Sequence, residues 1–452
     1  MKTKLFFFCT LALIIFCPVA VFAQIDNLTN MSAEWMRTSN RNAATDAADI
    51  VVYNPAGLTK LADGFHINFS NQTMDRNPQH SFDFGGGKKS YEQDSTDWFI
   101  PDLYLAYKKD KWCVFGGFYI PGGGATADYP DGSITTKLIG TQMVLTGYGR
   151  VAQLEAEGLV PEGTSATPGL FNYTNDSLEA TSMYLTSTIG GAYAINDKIS
   201  VAAGVRYIYA TNTTEGDITF HDNLQGTSSR YKLDTEDTAD GLGAILGVNI
   251  TPVKELNIGI HYESRIELDF ETDQKRDDFG ITVDKAKNRR DFPAMIGMGA
   301  AYSLTPQLTA EMDFNWWFQK QADWGRAANG KEYSDAAGDC YSVGAALTYQ
   351  VNPKFVVSGG FLYTDFLFDD IDTYYTNLGA FEVLYSDNWN LSAGFAYEVK
   401  KGLKFNMGLG WTIWADETVK AMNAAPMDID VETENSTYSL TMGVEVSLFN
   451  PK

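Results

Sequence analysis

The chain has 452 residues, a formal charge of −23 and a mean hydropathy of −0.20. So acidic a chain is a poor match for a phosphate backbone, which excludes nucleic-acid binding. After the first two dozen residues no apolar run approaches the roughly 18 residues a membrane-spanning helix needs, so helical spans are excluded. Membrane strands are not, because they average lipid-facing with lumen-facing residues.

Lys2 and Lys4 precede an apolar run over 5–21, and Val21-Phe22-Ala23 offers small residues where a signal peptidase reads. Residues 1–23 therefore read as a signal peptide with Gln24 as the mature terminus. A retained anchor is the alternative; Pro18 and the polar continuation weigh against it. Cleavage would carry the charge to about −25 by removing two lysines and no acid. Residues 24–63 are polar and rich in Ala and Asn, with little period-two alternation. They read as a hatch, a plug folded inside a lumen. Near its end Asn54-Pro55-Ala56-Gly57-Leu58 is a turn-forming stretch, with Pro fixing one φ and Gly free to take unusual angles.

From residue 64 to 452 fourteen alternating segments follow, joined by connections that alternate between very short and very long. This predicts a 14-stranded antiparallel transmembrane β-barrel. The short turns 108–111, 195–198, 251–255, 305–307, 351–354 and 400–402 should face the periplasm, and the long connections 71–98, 121–181 and 271–291 the exterior. Over 256–270, Leu256, Ile258, Ile260, Tyr262, Ile266, Leu268 and Phe270 share one face while Asn257, His261, Glu263, Arg265, Glu267 and Asp269 share the other, as lipid and a polar lumen require. A soluble β-sandwich would explain one such strand but not fourteen in this wiring. Aromatics at strand ends predict girdles, with Trp316, Phe318, Trp389, Trp411 and Trp414 outside and Tyr193, Tyr349 and Tyr397 inside. A closed barrel has no edge to pair, so a monomer is expected. Cys113 and Cys340 fall at opposite strand ends and should be free thiols. Acidic loop residues such as Asp365, Asp369, Asp370 and Asp372 read as solvated charge, with cation bridging to lipopolysaccharide as the alternative. No metal or cofactor motif is present.

The stretch Ala43-Ala44-Thr45-Asp46-Ala47-Ala48-Asp49 leading to Asn54-Pro55-Ala56-Gly57-Leu58-Thr59 resembles the hatch signature of the FadL/TodX outer-membrane transporters of long-chain fatty acids and aromatic hydrocarbons. Ile100-Pro101-Asp102-Leu103-Tyr104, Asn196-Asp197-Lys198 and Phe292-Pro293-Ala294 look similar to further blocks of that family. The resemblance implies a hydrophobic small-molecule ligand caught at outer loops and held in the lumen. It also implies gating by the hatch around Asn54, Pro55, Ala56 and Gly57, and lateral release at a kink in the third strand. In this chain that strand is 112–120, and Gly116, Gly117 and Pro121 suit a break there. Tyr104, Phe115 and Tyr119 are expected to line the apolar part of the lumen. Arg206 and Arg265 are candidate partners for a ligand carboxylate, or else pair with lumen acids such as Glu263 and Glu267.

Two features depart from the family pattern. The connection 121–181 is long and carries Leu138, Ile139, Met143, Val144, Leu145 and Val151, which suggests a ligand-capturing cap. Residues 450–452 extend beyond the aromatic Phe449, where barrels usually end for recognition by the barrel assembly machinery. A hydrolase is a poor alternative: the mature chain has four His and no Gly-x-Ser-x-Gly elbow, so no catalytic residue is assigned. A general diffusion porin for small polar solutes is the remaining alternative, opposed by the plug.

Overall fold

The computed structural model describes residues 32–449 except 84–85, 328, 377–378, 384 and 422–428. The expected signal peptide, the first residues of the expected hatch and the extension 450–452 lie outside the described residues. Fourteen antiparallel strands form the wall. In chain order they are Gly64–Arg76; Thr96–Lys109; Trp112–Tyr119 continued by Gly123–Tyr129; Phe171–Ala194; Ile199–Asp222; Thr227–Val253; Leu256–Glu263 continued by Asp269–Asp277; Ala294–Ser303; Leu308–Phe318; Cys340–Asn352; Phe355–Phe366; Asn388–Lys400; Leu403–Trp414; and Ser436–Phe449. They are numbered 1 to 14 below. Strand 1 pairs with strand 14 from Gly64↔Phe449 to Arg76↔Thr437, so the sheet closes and every strand has two neighbours. Closure is what lets alternating sequence stand in lipid, since each backbone N–H and C=O then has a partner.

The outward rows are apolar, as with Phe65 and Phe69 on strand 1 and Val343 and Leu347 on strand 10. Trp389, Trp411, Tyr193, Tyr349 and Tyr397 stand exposed on that surface. Trp414 does not: it is buried against Phe366 and Tyr385, because three residues beyond Trp411 on a strand is the opposite face. Cys113 and Cys340 are free and buried.

The alternation of short and long connections breaks at one place. Strands 5 and 6 are joined at the loop end by only 223–226, a tight turn with Gly226 at φ 67°. The residues expected in loops are in the strands instead. Strands 4, 5 and 6 have 24, 24 and 27 residues, against the ~9–11 that a tilted strand needs to cross a bilayer. The connection 121–181 is accordingly shorter than expected, and its centre is a helix, Ile134–Ala156, which carries the six apolar residues noted above.

The other outer loops fold together into a cap. A second sheet joins Glu417–Ala421, Ile429–Glu434, Gln79–Phe82 and Lys89–Glu92. Beneath it Tyr129, Trp324, Tyr333, Tyr374 and Phe381 form a core.

Candidate functional site: the occupied lumen and the broken third strand

Inside the barrel lies the N-terminal segment, with short helices Ala33–Met36 and Ile50–Tyr53 and the 3₁₀ turn Pro55–Lys60. It follows the wall backwards from strand 14 to strand 6, and nearly every strand it crosses presents a lumen-facing glycine there. A Cβ on Gly408 would stand 2.7 Å from Cβ of Met36, on Gly394 2.6 Å from Cγ of Arg37 and on Gly344 2.5 Å from Oδ1 of Asn40. On Gly360 it would overlap the Thr38 carbonyl and on Gly259 that of Asn42. On Gly299 it would reach Asn42 at 2.7 Å and on Gly247 Pro55 at 2.9 Å. The missing side chains form a seat that brings two backbones into contact.

Strand 9 supplies carboxylates instead. Oδ2 of Asp313 accepts the N–H groups of Arg41 (2.6 Å) and Asn42 (2.9 Å), and Oε1 of Glu311 accepts that of Ala43 (3.1 Å). Oε1 of Glu34 accepts from the amides of Asn68 and Asn406, each at 2.6 Å. Within the segment Arg41 holds Asp49 through two nitrogens, at 2.6 and 3.1 Å. Asn54 closes the turn, its Oδ1 accepting from Gly57 N–H at 3.2 Å and its Nδ2 donating to Oδ1 of Asn249 at 2.8 Å. Ala56 is tied to strand 5 by Ser200 Oγ, which donates to its carbonyl at 2.8 Å.

The opposite half of the lumen is apolar. Tyr104, Phe115 and Tyr119 are buried against Ile50, Val51 and Leu58 of the segment, so in this state they contact the protein itself. Gly117 belongs to this contact and not to a kink: a Cβ there would meet Tyr104 at 3.0 Å and Val51 at 3.3 Å. Gly116 and Gly117 sit in unbroken register, opposite Leu105 and Tyr104 on one side and Ile189 and Thr188 on the other.

The break comes three residues later, at Ile120-Pro121-Gly122. Tyr119 pairs with Thr186 and Ala125 with Ser182, so strand 3 holds two extra residues against strand 4. Two extra residues bow the strand while keeping its faces in phase. On the other side the ladder to strand 2 ends at Leu103↔Phe118, and beyond it isolated bonds resume among the described residues, from Asp94 N–H to Asp128 O (2.9 Å), from Ser95 Oγ to Thr126 O (2.7 Å) and from Thr126 N–H to Asp97 Oδ1 (3.1 Å). Pro101, two residues past the last pair, has no N–H to continue it. Met74, Ile100 and Ile120 fill the interruption, with Met183 and Leu185 against them.

The two arginines diverge. Arg206 is fully buried, Nη1 2.6 Å from Oε2 of Glu263, Nε donating to Tyr119 OH at 3.3 Å, and Cζ 5.5 Å above the ring of Phe292. Its Nη2 has no hydrogen-bond partner among the described residues. It adjoins an apolar cluster of Tyr184, Ile208, Ile266, Leu268, Phe270 and Phe292; Ile266, Leu268 and Phe270, expected to face lipid, are buried inside instead, because strand 7 is interrupted between Glu263 and Asp269 and the alternation does not carry through. Arg265 is partly exposed and shared between Glu267 (3.3 Å) and Asp291 (3.5 Å). Both thus pair with acids, and only Arg206 keeps a donor in reserve.

Above the lumen an apolar cavity lies between the first turns of the loop helix and strands 4 to 6, lined by Thr136, Ile139, Leu178, Ile218, Phe279 and Ile281. The helix start is fixed by Ser133, whose hydroxyl accepts from Thr136 N–H, and by His80 from the first loop. Glu382 from another loop accepts Thr135 N–H at 3.3 Å, and burial raises its carboxyl above the usual range. Sequence reading missed His80 and the seat, and of the three residues named for the break only Pro121 lies in it. The seat did leave a signal: a lumen-phase glycine on every strand from 6 to 14 except strand 9, at 247, 259, 299, 344, 360, 394, 408 and 443.

The arrangement has solved counterparts. A FadL homologue of Pseudomonas aeruginosa superposes with a TM-score of 0.69 at 11% identity, over 94% of this chain and 99% of that one. The toluene transporter TodX of P. putida gives 0.60 at 12% over 96% and 100%, and the toluene transporter TbuX of Ralstonia pickettii 0.57 at 13% over 94% and 100%. No curated protein matches by sequence. Residues 174–448 match the family described as outer membrane protein transport protein (OMPP1/FadL/TodX). The chain belongs to that family and is a β-barrel of the bacterial outer membrane.

Proposed function

We propose that this barrel takes up hydrophobic small molecules, of the class of long-chain fatty acids or aromatic hydrocarbons, and releases them sideways into the membrane. The observation that carries the reading is the interruption between strands 2 and 3, where the backbone ladder stops and Met74, Ile100 and Ile120 form a buried apolar cluster beside the break. An apolar surface at that place lets an apolar molecule pass at little desolvation cost and disfavours ions. Capture occurs in the apolar cavity beneath the loop helix. The molecule then enters the apolar half of the lumen, where Nη2 of Arg206 receives a carboxylate if the ligand has one. The N-terminal segment acts as the hatch, closing the way to the periplasm, with Asn54, Pro55, Ala56 and Gly57 at the turn nearest strands 5 to 7.

Uptake of labelled oleate and labelled toluene by cells expressing the chain, alongside single-channel conductance, tests this. Uptake of either compound with little ionic current supports the proposal; steady current with no uptake identifies a diffusion porin.

A further inference from the structure

The lysines of the chain divide by side of the membrane. At the loop end most cations are engaged by carboxylates: Arg230 and Lys232 with Asp217, Lys275 with Glu236, Arg276 with Asp278, Lys320 with Asp369, Lys331 with Asp370. At the periplasmic end the pattern reverses. Five of the six short turns carry lysine, and across them Lys108, Lys109, Lys111, Lys198, Lys254, Lys354, Lys400 and Lys401 outnumber Asp110, Asp197 and Glu255. Lys108 pairs with Asp63 at 2.6 Å. The other seven are exposed and make no ion pair among the described residues. A chain with a formal charge of −23 thus ends in a cationic rim.

Two of these lysines extend lipid-facing rows, and a third stands in the turn just past one. Lys109 follows Leu103, Leu105 and Tyr107; Lys401 precedes Leu403 and Phe405, its Nζ 5.4 Å from the ring of Phe449; Lys254 comes directly after exposed Val253, which ends strand 6. Exposed Trp112, Tyr193, Tyr349 and Tyr397 mark the edge of the apolar band just above them. A lysine one position past that edge keeps its methylenes on the barrel and reaches the headgroup plane with its ammonium.

We infer that the periplasmic rim binds the anionic headgroups of phospholipid in the facing leaflet, gathering an annulus of acidic lipid around the barrel. The partner is set by chemistry: unpaired ammonium groups on five of the six turns, at the depth of phosphodiester groups, beside interfacial aromatics.

The test uses the full chain in bilayers of two parts phosphatidylcholine and one part phosphatidylglycerol, with retained lipid counted by native mass spectrometry. The expected result is about fivefold enrichment of phosphatidylglycerol over its share in the bilayer. It should fall towards one when Lys109, Lys254 and Lys401 are all replaced by Gln, while Gln at Lys275, Lys320 and Lys331 leaves it unchanged. Salt titration of the unmodified protein is the second measurement: enrichment should decline as the Debye length shortens. Equal retention of both lipids, enrichment that survives the rim substitutions, or enrichment insensitive to salt would overturn the inference. Heat-modifiable mobility establishes that each variant is folded.

Discussion

Nε2 of His80 accepts the backbone N–H of Ile134 at 3.0 Å, so a side chain of the first outer loop caps a helix of the second. Because that N–H donates, the ring is neutral with its proton on Nδ1. Burial among Phe82, Tyr91 and Tyr129 holds its pKa down to about 3. A His depressed on folding binds its proton more readily unfolded, so the contribution is complete above the ordinary value near 6.5 and is lost as pH falls towards 3. Proteolysis of the loops should accelerate over that window. His80→Gln, which keeps an acceptor without titrating, should flatten the dependence; equal acid sensitivity in both proteins would show that His80 is not the cause.

The glycine seat predicts opposite results for two similar changes. Gly259→Val pushes a side chain into the Asn42 carbonyl and should cost roughly 1–3 kcal/mol as overpacking, with raised ionic conductance as the N-terminal segment lifts. Gly116→Val adds its side chain to the lipid side, where Thr188 O at 3.5 Å is the only near neighbour, and should change neither. Thermal unfolding in detergent and single-channel recording measure both effects.

The bow in strand 3 can be removed directly. Deleting Gly122 and Gly124 takes out the two extra residues and permits one-to-one pairing with strand 4. Uptake of hydrophobic compounds should fall while heat-modifiability persists. Undiminished uptake by the folded deletion would rule out release through this gap. Valine at Gly117 would be a poor test, since it meets Tyr104 and Val51 whether or not the strand is bowed.

Arg206 and Glu263 allow stability and ligand binding to be separated. Glu263→Gln leaves a buried guanidinium unpaired and should destabilise by about 3–5 kcal/mol. Replacing the pair together, Arg206→Met with Glu263→Leu, should restore most of that stability. If Arg206 receives a carboxylate, the double variant loses fatty-acid uptake and keeps that of toluene. Parallel loss of both would assign the arginine a structural part only.

The wall was legible because its rule is local. Period-two alternation places Leu256 and Ile258 in lipid and His261 and Glu263 in the lumen without reference to any other strand. What failed depended on partners distant in sequence. Gly117 looked like a breaker until Val51, 66 positions earlier, was seen to occupy its missing side chain. The bow itself is a difference in residue count between strands 3 and 4, which no single segment displays. Trp414 was assigned to the girdle from its place at a strand end, though its phase relative to Trp411 already placed it inside. The pairing of Arg206 with Glu263 stood as an alternative because phase puts both in the lumen but says nothing of their height.

The seat also divides the circumference into two territories. Strands 8 to 14 turn towards the lumen groups committed to the N-terminal segment, among them Asp313, Asn406 and the glycines at 299, 344, 360, 394, 408 and 443. Strands 5 to 7 share in the seat through Ser200, Gly247 and Gly259, but nearer the loops strands 4, 5 and 7 present Tyr184, Ile208, Ile266 and Leu268, which pack on one another, and there a change of side chain alters the cavity surface without unseating anything. Diversification of cargo is thereby confined to one arc of the barrel. A library that varies that arc alone would sample new ligands on a scaffold whose other arc holds its shape.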